Sequence, residues 1–213
     1  MKVTGYGEDA LSLWALTARL NQFLEQLDDQ SSLTDTILLL RPSFGRLGSN
    51  AVLPGGTADS SQFGEFDAIV GTPIGVYPIE AKWSRSSEIE GDAIILRSAQ
   101  VRRHQLFYEY LAAWRKHKPT NWAAFHIAQQ GLIQLGDIWY PVAPPRSQLS
   151  RNLETVLSKL ADCGAPVRDV VLYLRVTDGR VVKTVRNEQF QLVTIDCPSA
   201  TGFIELGDAD SLG

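Results

Sequence analysis

The sequence predicts an α/β fold in which a central mixed sheet is flanked by helices, and three observations carry that expectation. Two short runs rich in β-formers, residues 66–70 and 78–83, are separated by the turn residues Gly71-Thr72-Pro73-Ile74-Gly75. Two longer stretches, 8–27 and 94–117, repeat apolar residues at helical spacing on either side of that pair. Further strand-like runs stand at 35–40, 169–177 and 190–196, so helices and strands alternate along the chain.

The first element is expected as one helix, with leucines at 13, 16, 20, 24 and 27 and Phe23 at the i, i+3, i+4 spacing of an amphipathic stripe. Glu8 and Asp9 stand at its start, where carboxylates suit the helix dipole and where capping alone would explain both. Residues 35–40 read as a buried strand. The Gly-, Ser- and Pro-rich passage 42–62, with Arg41 before it and Arg46 within it, reads as a long loop, a feature that is uncommon unless functional or disordered.

The runs at 66–70 and 78–83 then form a hairpin. Residues 94–117 form the second helix, with Leu96, Ala99, Leu106, Phe107, Tyr110, Leu111 and Trp114 on one stripe. Arg103 projects from the middle of that stripe and Gln100 borders the same face. Residues 121–129 read as the strand that closes the core. Beyond them come a linker at 141–145, a short helix at 150–160 capped by Ser150 or Asn152, and the strands 169–177 and 190–196. Asp178-Gly179 signals a hairpin turn after the first of these. The expected organisation is a core over 1–130 and a C-terminal α/β extension over 131–213 packed on it.

Composition bounds the function. A chain of 213 residues, 44% hydrophobic and 21% charged, is an ordinary globular protein long enough for one sizeable core. Its apolar runs are too short to cross a membrane and the N-terminus lacks a basic, then apolar, signal segment, so a cytoplasmic protein with no membrane partner is expected. Cys163 and Cys197 lie far apart without metal-ligand spacing and are expected as reduced thiols. The net charge of −4 argues against broad attraction to nucleic acid. Charge does segregate: residues 97–118 hold six basic residues against Glu109 alone, a local balance of +5 that leaves −9 for the rest. A solvated helix face explains this as well as a phosphate contact does.

Chemistry concentrates in the hairpin. Alternation along a strand puts Glu80 and Lys82 on one face, with Ile79, Ala81 and Trp83 on the other. Asp67 interrupts its apolar run in the same way. Charges on strands that are otherwise apolar are costly unless paired or holding a metal. Two carboxylates suffice for a hard cation such as magnesium, which keeps several waters, and a nearby ammonium suits a developing negative charge. A plain salt bridge between Glu80 and Lys82 is the competing explanation.

Asp67, twelve intervening residues and Glu80-Ala81-Lys82 resemble the signature of the PD-(D/E)XK nuclease superfamily. The wording around them, Glu65-Phe66-Asp67-Ala68-Ile69-Val70 and Gly75 to Lys82, is similar to the nuclease-related and Holliday-junction-resolvase-like branches, with Phe66 where the family name has proline. The resemblance covers about 120 of the 213 residues. It implies a restriction-endonuclease-like core running helix, three strands, helix, strand. It implies metal binding by Asp67, Glu80 and the Ala81 carbonyl, Mg2+ or Mn2+ as the metal, Lys82 as catalytic lysine and DNA as substrate.

Glu8 is the expected further carboxylate on the first helix, with Asp9 its rival because helical phase aligns Asp9 with the leucine stripe. Gln100 resembles the glutamine on the helix after the motif, and His104, expected as an exposed flank residue, is a weaker choice. Arg46, Arg97 and Arg103 are the expected nucleic-acid contacts. A homodimer or a partner protein in a defence complex is compatible with the acidic charge. So is the alternative that the chain is a non-catalytic nuclease-fold subunit binding nucleic acid or a protein.

Overall fold

The computed structural model describes residues 3–45, 52–53 and 55–206. The protein is mixed α/β, with a central five-stranded mixed sheet and flanking helices. The chain separates into two compact units, one formed by Met1–Leu40, Asp67–Leu96 and Ala165–Gly213, the other by Arg41–Phe66 and Arg97–Gly164.

The first unit holds the central sheet. Its strands are β1 (Ile37–Leu40), β2 (Ala68–Gly71), β3 (Val76–Trp83), β4 (Asp169–Arg175) and β5 (Phe190–Asp196), in spatial order β1-β2-β3-β4-β5. β1, β2 and β3 pair antiparallel, while β3, β4 and β5 pair parallel. The hairpin expected at 66–83 is present, with Ala68 opposite Ile79 and Gly71 opposite Val76. Its turn is braced by Thr72, whose hydroxyl accepts from the Ile74 and Gly75 N–H groups. β3 is buried on both faces, as its apolar flanks implied.

The helices α1 (Gly7–Ala18) and α2 (Leu20–Glu25) cover one face of this sheet. Leu11, Trp14, Ala15, Leu16, Phe23 and Leu24 pack with Tyr77, Ile79, Ala81, Val170, Leu172 and Ile195 in one apolar cluster. The single helix expected over 8–27 is broken at Arg19, whose φ of −128° is not helical. It follows a strand, Val3–Tyr6, paired antiparallel with Phe203–Leu206. Gly7, at φ 78°, makes the turn from strand into helix in a conformation that favours glycine.

The second unit contains α3 (Ser98–His117), α4 (Trp122–Ala128) and α5 (Gln148–Leu160). Here the strand expected at 121–129 is corrected to the helix α4. Asn121 caps it by accepting from Ala124 N–H at 3.0 Å, and the i, i+3 pair Trp122 and Phe125 is buried while Ile127 is exposed. α5 is capped by Ser147, not by Ser150 or Asn152. A hairpin, Leu132–Leu135 with Ile138–Pro141, occupies a stretch that carried no expectation. Within 42–62, Ser43–Phe44 pairs with Gly64–Glu65, and Val52–Leu53 with Thr57–Ala58.

The C-terminal segment does more than pack on a finished core, because β4 and β5 are two of the five central strands. Asp178-Gly179 does form a turn, with Gly179 N–H donating to the Val176 carbonyl at 2.8 Å. No antiparallel return follows it, since β4 and β5 are parallel and the intervening Thr184–Val185 pairs with Ala93–Ile94. Both cysteines are free thiols. No helix among the described residues is long and apolar enough to cross a membrane.

Candidate active site

The site forms where β2 begins and β3 runs on past it. β2 starts at Ala68 opposite Ile79, so the last four residues of β3 have no partner strand on that edge. Alternate N–H groups of a strand point to the same edge, and Ser84 N–H already donates to Leu174 on the β4 side. The N–H groups of Ala81 and Trp83 therefore need acceptors from elsewhere. Asp67 Oδ2 accepts from Ala81 N–H at 2.7 Å, and Glu8 Oε2 accepts from Trp83 N–H at 3.2 Å. Two carboxylates thus stand in for the missing ladder.

Glu80 and Lys82 lie on the sheet face opposite Ile79 and Ala81, and are 2% and 7% exposed. Lys82 Nζ is 4.0 Å from Glu80 Oε2 and 3.1 Å from Glu88 Oε2. Glu88 reaches back because the chain turns directly after β3. Ser86 N–H donates to the Trp83 carbonyl at 2.8 Å, and Glu88 N–H to Ser86 Oγ at 3.2 Å. Glu8 lies within electrostatic reach of Lys82, Asp67 and Glu88.

Five ionisable groups therefore lie on or against the last residues of β3. Burial above all pushes the Glu8 carboxyl up to about 7. Lys82 opposes that rise, the Asp67 charge adds to it, the Trp83 N–H opposes it, and Glu88 adds to it again. Burial works to lower the pKa of Lys82, but the carboxylates of Glu8, Glu80 and Glu88 outweigh it and hold the ammonium above its ordinary value. Lys82 is charged at any pH of interest.

A stability prediction follows for Glu8. Its folded pKa of about 7 lies above the ordinary 4.5, so the stability that its neutral form contributes is complete below pH 4.5 and is lost as pH rises through 7. Glu8→Gln keeps a neutral side chain throughout. Urea unfolding is expected to give equal stability for both proteins at pH 4, and a variant more stable by roughly 2 kcal/mol at pH 8 once partial exposure is allowed for.

The choice between Glu8 and Asp9 falls to Glu8 on position, since Asp9 is exposed. Asp67 stands on the N–H of Ala81, the residue between Glu80 and Lys82, and Lys82 Nζ lies 4.0 Å from Glu80 Oε2. Glu88 was not anticipated: nothing in the spacing marks it, and the turn that returns it depends on Ser86.

Gln100, Arg97, Arg103 and His104 belong to the second unit. Gln100 sits in the first turn of α3, where its Oε1 accepts from Arg97 N–H at 2.7 Å. Gln100→Ala is expected to lower thermal stability by about 0.5–1 kcal/mol through loss of that cap, with Gln100→Glu restoring it. Arg97 is exposed at the start of α3. Arg103 is buried, with its guanidinium 5.4 Å from the Phe66 ring centroid. His104 is fully buried edge-on to the same ring, which corrects the exposed position expected for it. Arg46 lies outside the described residues. A cleft of about 560 Å³ in this unit, lined by Glu109, Lys116, Gln129, Gln134 and Trp139 among others, contains none of the expected site residues.

Among the described residues, no three His, Cys, Asp or Glu side chains are grouped so as to enclose a metal ion. The donor chemistry nonetheless fits a hard cation. Asp67 and Glu80 offer carboxylate oxygens, and the Ala81 carbonyl leaves β3 on the edge where Asp67 takes the Ala81 N–H. Magnesium needs little more than this from a protein, because water and substrate phosphate complete its shell.

Comparison with protein-family models, curated proteins and solved structures returned no match.

Proposed function

We propose that the protein is a metal-dependent nuclease that hydrolyses phosphodiester bonds in DNA, built on a restriction-endonuclease-like core. One observation carries the reading: where β2 gives out, Asp67 just before it and Glu8 of α1 take the Ala81 and Trp83 N–H groups of β3, whose residues Glu80 and Lys82 are buried beside them in sequence. The order α1, β1 to β3, α3, β4 also supports it, with the closing strand at Asp169–Arg175 in place of 121–129.

In this reading Asp67, Glu80 and the Ala81 carbonyl hold Mg2+ or Mn2+. The bound ion supplies Lewis acidity at the phosphate and a water of lowered pKa. Lys82, charged and nearly buried, offers its ammonium to the negative charge that builds on the phosphate oxygens. Glu8 adds a third carboxylate at the rim, oriented by Trp83 N–H. Arg97, exposed at the start of α3, is the proposed DNA contact on that helix. Defence and DNA repair are the roles that such an activity serves.

The 3.1 Å pair between Lys82 and Glu88 favours a second reading, in which the charges are a structural ion pair within a non-catalytic subunit that binds nucleic acid or a partner protein. Incubation of single-stranded, duplex and branched DNA and of RNA with the purified protein and Mg2+ or Mn2+ separates the two. Cleavage of a DNA substrate is expected. Binding of DNA without cleavage, weakening with salt and indifferent to magnesium, would favour the subunit instead.

A further inference from the structure

We infer that the exposed rings of Tyr6 and Phe203, beside Glu8, form a stacking platform for an unpaired base, so that the substrate is DNA with single-stranded nucleotides next to the site. The inference rests on the nuclease reading above and names the form of DNA that the site accepts.

Tyr6 and Phe203 stand opposite each other in the ribbon of Val3–Tyr6 and Phe203–Leu206. Their ring centroids are 4.7 Å apart, and the Tyr6 ring lies edge-on to Trp83 at 5.9 Å. Cross-strand pairing explains the contact between the first two rings. It does not explain why both lie open to water, Tyr6 at 52% and Phe203 at 56% exposure. Anchoring of the ribbon does not explain it either. Alternate residues of a strand take opposite faces, and here the other face is the one that is pinned. Ile204 is buried in the apolar core, and Gly5 lies so close to α1 that a Cβ on it would sit 2.5 Å from Ala10 Cβ. The aromatic face is left to a ligand.

Position and chemistry choose that ligand. The Gly7 N–H donates to the Gly202 carbonyl at 3.0 Å, which fixes the rings at the start of α1, directly before Glu8. Trp83 joins platform and site a second time. Its N–H donates to Glu8 Oε2, and its ring packs on Gly202 so closely that a Cβ there has no room. The exposed Arg85 guanidinium lies 5.4 Å from the centroid of the same ring. Aromatic faces beside a cation suit a nucleotide, because the rings take the flat face of a base and the cation its phosphate. A base within a duplex is stacked and paired already, so only an unpaired one turns onto a protein ring without that cost. Every base has such a face, and the platform therefore reads strandedness and not sequence.

Fluorescence anisotropy with the full chain tests this, in Ca2+ and in chelator, using labelled oligo-dT, a duplex of equal length, oligo-U and an oligo-dT strand with abasic positions. The parent protein is expected to bind oligo-dT more tightly than the duplex or the abasic strand. Tyr6→Ala and Phe203→Ala are each expected to weaken oligo-dT binding by about tenfold, while Tyr6→Phe and Phe203→Tyr retain it. Arg85→Gln is expected to reduce the salt dependence by about one phosphate contact. Unchanged affinity in the folded alanine variants, or an abasic strand bound as tightly as oligo-dT, would overturn the inference. Tighter binding of oligo-U would overturn the assignment to DNA. Should Tyr6→Ala not fold, Phe203→Ala decides alone, since Ile204 and Gly5 still pin the ribbon. Ring-dependent binding of oligo-dT by a protein that cleaves no DNA would support the platform and remove the nuclease reading, a separate result.

Discussion

Asp67→Asn, Glu80→Gln and Lys82→Met are each expected to lower metal-dependent DNA cleavage by at least about 10²- to 10³-fold, the loss typical when one preorganised charge is taken from a water-poor site. The two carboxylate variants are near-isosteric. Asp67→Asn keeps an oxygen for the Ala81 N–H, and Glu80→Gln leaves Lys82 with Glu88 and Glu8 as charge partners. Thermal unfolding of both should stay close to the parent protein, so lost cleavage reports on chemistry. Lys82→Met differs, because it removes a cation that Glu8, Glu80 and Glu88 all face. That variant should be less stable at neutral pH and recover towards acid, where carboxylates protonate. Full cleavage by all three folded variants would return the cluster to a purely structural role.

The largest effect on stability is expected far from this edge, at Asp29. The carboxylate is 2% exposed and accepts from Tyr77 Oη at 2.6 Å, Thr72 Oγ1 at 2.7 Å and Ser31 N–H at 2.8 Å. Arg168 completes the set, donating to Tyr77 Oη and to the Leu27 carbonyl, both at 2.7 Å. The network ties the chain after α2 to the turn of the β2-β3 hairpin and to the segment that enters β4. Asp29→Ala removes three accepted hydrogen bonds and takes the acceptor from the buried Tyr77 hydroxyl, while Thr72 keeps the Gly75 carbonyl, so a loss of about 3 kcal/mol is expected from urea unfolding at pH 7.

The sign of its pH dependence follows from the same contacts. Burial pushes the Asp29 carboxyl up, but the hydrogen bonds from Ser31, Tyr77 and Thr72 prevail and hold it below its ordinary 3.8. The stability gained by ionisation is therefore complete above pH 3.8 and is lost as pH falls below it. Parent and variant should differ by a constant amount from about pH 5 to 8 and draw together below about pH 4. A gap that is unchanged at about pH 3 would contradict the assignment.

What the sequence disclosed and what it hid can be traced to particular residues. The β2-β3 hairpin was legible because both strands are apolar runs and Gly71 to Gly75 can only turn, which fixed the faces of Glu80 and Lys82. The phase of α1 was not. The leucine stripe through Leu13, Leu16 and Leu20 placed Asp9 inward, whereas the helix buries Leu11, Ser12, Trp14, Ala15 and Leu16. At ~100° per residue the middle of that face lies close to Glu8 and well away from Asp9. The break at Arg19 explains the error, since leucines beyond it belong to another helix and carry no phase information about the first.

The other misreadings have the same origin in local signals. The aromatic and small residues of 121–129 fit a strand until the Asn121 cap is noticed. The Asp178-Gly179 turn specified a bend but not a partner strand, and β4 is completed by residues 190–196 in parallel. Glu88 stayed hidden because its approach to Lys82 depends on a turn that no periodicity announces.

The central claim is tested most directly by following end-labelled DNA with purified parent protein and Glu80→Gln side by side, in Mg2+ and in excess chelator. The account predicts cleavage by the parent protein in Mg2+, its abolition by chelator, and none above background from the variant. Cleavage that survives in the folded variant, or that ignores the chelator, would contradict it.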